Sequence, residues 1–207
     1  MELREIFSKI KIIPVCVFDD VTAALKTTEI LLKYKVEVIE VTLRTVDAFE
    51  CIYEIKKKFP QALVGAGSVF DKDSLIRSID SGGVFGVAPC FDEELVRYAL
   101  EFNIPFIPGV ATPSELHNAA RLSSIIKLFP AQALGGVDYL NSITAPFRKF
   151  KFDLIPAGGI DNKNYKDYLS CEKVLACGLT YPVSEKLLKD KDYSSVEKRI
   201  IELYGEF

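Results

Sequence analysis

The sequence predicts an α/β fold and, within that class, a closed (β/α)8 (TIM) barrel. Three observations carry that expectation. Short apolar runs recur at 12–17, 36–41, 62–64, 84–88, 106–107, 124–128, 152–155 and 174–176. Segments with helical spacing of apolar residues separate many of them, at 21–34, 46–58, 72–79, 93–102, 114–121 and 137–145. The strand runs are nearly continuous in apolar character instead of alternating, which is how strands of a helix-covered parallel sheet read. Eight such units fit a barrel at the low end of its size range, whereas an open doubly wound sheet usually has five or six strands. No linker or low-complexity stretch interrupts the 207 residues, so a single domain, 1–207, is expected. A chain of that length buries roughly 70% of its unfolded surface.

Each predicted strand delivers particular residues at its end, and in a barrel the chemistry lies at the C-terminal strand ends. The first run, beginning Ile12-Ile13-Pro14-Val15, leads into the helix that starts at Val21. The second ends Glu40-Val41-Thr42-Leu43-Arg44-Thr45, setting a carboxylate and a guanidinium at the rim. Its helix closes on Lys56-Lys57-Lys58, a solvated helix end. The third strand ends Gly65-Ala66-Gly67-Ser68, the fourth Ala88-Pro89 and the fifth Pro108-Gly109-Val110. Lys127 lies in the sixth. The seventh ends Pro156-Ala157-Gly158-Gly159-Ile160, and the eighth runs into Cys177-Gly178-Leu179-Thr180. From Asp190 a terminal helix is expected, with Val196, Ile200, Ile201 and Leu203 on its apolar positions.

Composition narrows the function classes. A hydrophobic content of 49% with 27% charged residues is ordinary for a soluble globular protein. The net charge of −3 and pI near 5.4 argue against nucleic acid or a membrane surface as partner. No apolar run approaches the ~20 residues of a membrane span. The N-terminal Met1-Glu2-Leu3-Arg4-Glu5 lacks the apolar core of a signal peptide, so a cytoplasmic location is expected. Five scattered cysteines form no CxxC pair and read as reduced, mostly buried thiols. His117 is the one histidine in the chain, and catalytic zinc usually recruits two or three. Neither a metal nor another cofactor is expected.

Lys127 stands in Ser124-Ile125-Ile126-Lys127-Leu128-Phe129-Pro130-Ala131, an apolar run that stops at a proline. An ammonium in such a run loses hydration, which favours the neutral amine. A neutral lysine amine attacks carbonyls and gives a Schiff base. The plainer alternative is a lysine that extends its head from a strand end into solvent. Alternate strands fill each layer of an eight-stranded barrel, so strands 2 and 6 share layers. On that geometry Glu40 faces Lys127 across a small cavity, with a structural ion pair as the other reading.

With these residues assembled, the chain resembles the 2-keto-3-deoxy-6-phosphogluconate (KDPG) aldolase family, including its 2-keto-4-hydroxyglutarate (KHG) aldolase activity. The resemblance runs from Ile12-Ile13-Pro14-Val15 to Gly178. Its pieces are Ile39-Glu40-Val41-Thr42-Leu43-Arg44-Thr45, Val64-Gly65-Ala66-Gly67-Ser68-Val69, Ile107-Pro108-Gly109-Val110-Ala111-Thr112-Pro113-Ser114-Glu115, Lys127-Leu128-Phe129-Pro130-Ala131, Gly135-Gly136 and Gly158-Gly159-Ile160. It implies a class I aldolase that cleaves a phosphorylated 2-keto-3-deoxy sugar acid to pyruvate and an aldehyde, without a cofactor. Lys127 then matches the Schiff-base lysine and Glu40 the general acid/base working through a bound water. Arg44 matches the carboxylate-binding guanidinium, and Ser68 stands where the family usually has threonine. Pro89 and Phe129 match the walls of the pyruvate pocket, and Gly158 and Gly159 the phosphate loop. A homotrimer is likewise implied.

Three departures from the family pattern stand out, and the first two weaken the phosphate half of this picture. Ala157 replaces a hydroxyl residue before the glycine pair, and Cys177-Gly178-Leu179-Thr180 replaces a Gly-Gly-Ser, leaving Thr180 as the substitute hydroxyl. Ala88-Pro89-Cys90 replaces the more usual Ser-Pro-Gly. KHG or an unphosphorylated keto acid therefore stays open as the substrate. A different phosphate-binding barrel enzyme and a non-catalytic sugar-acid binder stay open as other classes.

Overall fold

Helix starts follow the capping chemistry of the sequence. The side chains of Asp20, Asp71, Asp92 and Asp192 each accept the backbone N–H three residues on, and Thr112 accepts that of Glu115. The computed structural model describes residues 3–205; the outermost two residues at each end of the expected domain, including Met1 and Glu2 of the N-terminal segment, lie outside the described residues.

In chain order the elements are α1 (Leu3–Ile10), β1 (Ile12–Cys16), α2 (Val21–Lys33), β2 (Val38–Thr42), α3 (Ala48–Lys58), β3 (Leu63–Gly67), α4 (Lys72–Asp80), β4 (Phe85–Val87) and α5 (Glu93–Glu101). There follow β5 (Phe106–Ile107), β6 (Gly109–Val110), α6 (Pro113–Ala119), β7 (Ile125–Leu128), α7 (Gly136–Thr144), β8 (Asp153–Pro156), α8 (Tyr165–Leu169), β9 (Cys177–Leu179), α9 (Glu185–Lys189) and α10 (Tyr193–Tyr204). Seven of the eight predicted runs coincide with strands, and every residue of β1, β2 and β7 is buried. Helix α1 was not among the expected elements, although Leu3, Ile6, Phe7 and Ile10 have helical spacing and Phe7 is fully buried. At five residues each, α8 and α9 are too short for periodicity to reveal.

The closed eight-stranded barrel is not what forms. Hydrogen bonding joins the strands into a six-stranded sheet, ordered β5-β4-β3-β2-β1-β9, and a three-stranded sheet, β6-β7-β8. Two local causes account for the difference. Pro108 has no N–H to give to a ladder, so the fifth run, 106–107, forms β5 alone, while Gly109-Val110 of its expected end forms β6 in a different sheet. The eighth predicted run, 174–176, is not a strand: Val174 makes a lone bridge to Leu154, and the strand forms at Cys177–Leu179. Between β8 and β9 only the bridges Leu154–Val174 and Ala157–Gly178 occur among the described residues.

By contact density the chain divides into two compact units. One comprises residues 3–13 and 87–179, and the other residues 14–86 and 180–205. Within the second, β1 and β2 pair in parallel with Val15 opposite Glu40, and β2 and β3 pair with Glu40 opposite Gly65 and Thr42 opposite Gly67. Phe85 of β4 packs so closely over Gly65 that a Cβ there would lie 2.0 Å from its ring. Within the first, β7 is the central strand of its sheet, with Lys127 between Gly109 and Ile155.

Candidate active site

The candidate residues fall into one group in each unit. Glu40, Arg44, Ser68 and Thr180 belong to the second unit; Lys127, Phe129, Pro89, Gly158 and Gly159 belong to the first. The placing of Glu40 opposite Lys127 was expected from strands 2 and 6 sharing layers of a closed barrel, and that barrel does not form.

In the second unit, Glu40 sits on β2 at 4% exposure, its side chain on the same face of the strand as Thr42, whose hydroxyl donates to the Cys16 carbonyl at 3.1 Å. Gly67 makes room for the carboxylate. A Cβ at Gly67 would lie 2.2 Å from Glu40 Oε1 and 2.9 Å from its Cγ. The buried Cys16 thiol is pushed well above its ordinary range, by burial first and by the Glu40 carboxylate second. Arg44 lies exposed in the turn after β2 and donates from Nε to Ser68 Oγ at 3.3 Å. Ser68 follows the last residue of β3 with φ 60, a left-handed conformation that is uncommon for serine and aims its side chain out of the strand's alternation. The structure thus brings Arg44 and Ser68 together. Thr180 is exposed, and its carbonyl accepts the Val183 N–H of a short 3-10 turn.

In the first unit, Lys127 is 7% exposed on the central strand of a parallel sheet. Its Nζ lies 5.5 Å from the centre of the Phe129 ring. Phe129 extends β7 by donating its N–H to the Val110 carbonyl and then enters a cis peptide with Pro130. Gly109, the strand partner of Lys127, packs on the Pro89 backbone, where a Cβ would approach to 2.3 Å. Gly158 packs on Phe129, with its own hypothetical Cβ 3.0 Å from the ring. Lys127, Phe129, Pro89 and Gly158 therefore form one cluster, with Gly159 adjoining. Gly158 and Gly159 have φ 92 and 76, a turn that side chains rarely adopt.

Other reactive groups are accounted for. All five thiols are free; Cys16, Cys51 and Cys177 are buried, and burial first, then neighbouring charges, raises Cys51 to about 12. Cys90, the exposed one, is raised as well, by burial and by Asp92 and Glu115, so it gains no thiolate character. His117 packs between Phe147 and Phe150, at 6.1 and 5.8 Å between ring centres. Gln132 escaped the sequence reading, because nothing in a polar residue past a proline turn announces that it folds back on the Gly158-Gly159 loop. Its N–H donates to the Gly158 carbonyl at 3.0 Å.

The sequence profile described as KDPG and KHG aldolase matches residues 3–199. A KHG/KDPG aldolase of Escherichia coli K12 is 38% identical over 188 residues, covering 90% of this chain and 87% of the relative. Among solved structures, a KDPG aldolase from Legionella pneumophila, with pyruvate captured at low pH as a covalent carbinolamine intermediate, superposes with a TM-score of 0.91. It shares 31% identity and covers 98% of both chains. The KDPG aldolase of Zymomonas mobilis ZM4, solved with 3-phosphoglycerate, gives 0.89 at 29% identity, over 99% of this chain and 96% of that one. Profile, sequence and fold agree over nearly the whole length, and this chain belongs to the KDPG and KHG aldolase family.

Proposed function

We propose that this aldolase cleaves KDPG to pyruvate and glyceraldehyde 3-phosphate through a Schiff base on Lys127. The observation that carries this reading is a lysine 7% exposed at the end of a central parallel strand, with an aromatic ring beside its Nζ. Such a setting holds the amine in place and gives it a preformed apolar wall.

The neutral amine adds to the C2 ketone to give a carbinolamine, which loses water to an iminium. The iminium withdraws the electron pair of the C3–C4 bond. As that bond breaks, a base removes the C4 hydroxyl proton; the aldehyde departs and an enamine remains. Protonation at C3 and hydrolysis release pyruvate and return the amine. Glu40 is the group assigned to these proton transfers, since a fixed carboxylate both accepts and returns a proton. Arg44 and Ser68, already joined by a hydrogen bond, are assigned to the substrate carboxylate, for which a planar guanidinium is suited. Pro89 and Phe129 are assigned to the walls of the pyruvate pocket. Gly158 and Gly159 supply main-chain N–H groups for the phosphate, with Thr180 as an additional hydroxyl.

Ala157 favours a second substrate beside the first. Without a hydroxyl there the phosphate loses one contact, and KHG or an unphosphorylated keto acid becomes a closer competitor. The iminium is itself the electron sink, so the reaction as written asks for no metal or cofactor. The enzyme is further proposed to be homotrimeric, by family resemblance, and cytoplasmic. No helix among the described residues is long and apolar enough to cross a membrane.

Borohydride reduction in the presence of pyruvate tests the nucleophile. The peptide containing Lys127 gains the mass of a reduced pyruvate adduct, and Lys127→Ala gains none. Equal labelling of the variant would assign the Schiff base elsewhere.

A further inference from the structure

We propose that Gln132 is a positioning residue for the phosphate loop: it holds the Gly158-Gly159 turn so that successive main-chain N–H groups present themselves to the substrate phosphate. The proposal rests on the reading of this loop as the phosphate site. A trans peptide points its C=O and N–H in opposite directions, so anchoring a carbonyl on one side aims the following N–H to the other. Three consecutive carbonyls are anchored here. That of Ala157 accepts from the Ala131 N–H at 2.8 Å, that of Gly158 from the Gln132 N–H at 3.0 Å, and that of Gly159 from Asn164 Nδ2 at 3.1 Å. The N–H groups of Gly158, Gly159 and Ile160 are thereby turned away from those partners, the arrangement by which successive amides bind an anion.

Two of the three anchors depend on Gln132. Its main chain supplies one directly. Its side chain supports the other, because Oε1 accepts from Asn164 Nδ2 at 3.2 Å and from the Tyr168 hydroxyl at 2.9 Å. Asn164 is held from its other end by the Asp161 N–H, which donates to Oδ1 at 2.9 Å. Gln132 also packs on the loop: a Cβ at Gly159 would lie 2.6 Å from Gln132 Cβ. Burial, with smaller contributions from Cys177 and Cys171, moves the Tyr168 phenol up to about 12, so it stays a donor through any assay range. Both side-chain bonds use Oε1 as acceptor, which means that a carboxylate in the same place would preserve them.

Steady-state kinetics with KDPG and with 2-keto-3-deoxygluconate, the same keto acid without its phosphate, test the assignment. In Gln132→Ala the ratio of kcat/KM for the two substrates should fall roughly tenfold in disfavour of KDPG, through KM and not kcat, as expected for one or two weakened contacts to a charged group. Gln132→Glu should recover most of the ratio. An unchanged ratio, equal losses for both substrates, or a loss confined to kcat would overturn the positioning role. Inorganic phosphate separates this from the underlying reading. If phosphate competes with KDPG in the wild type and equally well in Gln132→Ala, the loop binds the anion but Gln132 does not position it. If phosphate fails to compete in the wild type, the phosphate-loop reading falls and the proposal with it.

Discussion

At the residue scale, the Glu40 carboxylate occupies space that exists because position 67 has no side chain. This separates two ways of disabling one group. Glu40→Gln keeps the shape and removes the proton acceptor, so turnover should fall by about 10²–10⁴ while borohydride trapping of pyruvate on Lys127 persists. Near-normal turnover of that variant would move the proton transfer to another group. Gly67→Ala leaves the carboxylate chemically intact but puts a methyl where Oε1 now lies, and φ at this position is not in the left-handed region, so the backbone itself accepts alanine. The acid/base must shift by an ångström or more, and kcat should drop by roughly 10²-fold with thermal stability little changed. Wild-type kcat in Gly67→Ala would mean that the carboxylate position seen here is not the working one. Both residues were named from the sequence, Gly67 only as part of a motif; its reason is visible only in the close approach across two strands.

At the element scale, α6 shows how a short helix is held in place directly after the β6 strand. Thr112 and Glu115 form a capping box: the Glu115 N–H donates to Thr112 Oγ1 at 3.3 Å, and Glu115 Oε2 accepts the N–H groups of Ala111 and Thr112 at 2.9 and 2.8 Å. Partial burial pushes the Glu115 carboxyl up, but these donors and the Thr112 hydroxyl outweigh it, and the net result lies below the ordinary value of 4.5. A carboxyl lowered in the folded state binds its proton first in the unfolded chain. It therefore contributes stability above the unfolded value, and that contribution is lost as pH falls through the folded one. Glu115→Gln should cost on the order of 1 kcal/mol at pH 7, and the gap to wild type should narrow as pH drops below the ordinary carboxyl range. Urea unfolding at pH 7 and pH 3.5 checks this; a gap that stays constant or widens would refute the assignment. The helix expected at 114–121 forms within a residue or two of that span because its signals are local. The split of the fifth strand at Pro108 was not legible, because a missing N–H matters only once its would-be partner is known.

At the scale of the whole molecule, the homotrimer proposed for this enzyme predicts a mass three times the 23.1 kDa chain by light scattering across the micromolar range. A monomeric mass there would remove it. Val46 at 93% exposure and Phe70 at 59% are large apolar side chains left open on the second unit, where substitution by Asp should lower that mass if they are covered in the assembly. What the sequence determined by itself is what depends on neighbours along the chain: seven of the eight strand runs and the spans of the longer helices between them. Tertiary structure decided what depends on pairing between distant segments. The expected barrel gave way to two sheets because Pro108 cannot donate and because the last strand forms three residues later than its apolar run. Glu40 lies against Gly67, Arg44 against Ser68, and Gln132 against Gly159 through contacts that no local pattern encodes. Register and close packing are set by which hydrogen bonds can form and which side chains fit, and both are properties of residues that meet only after folding.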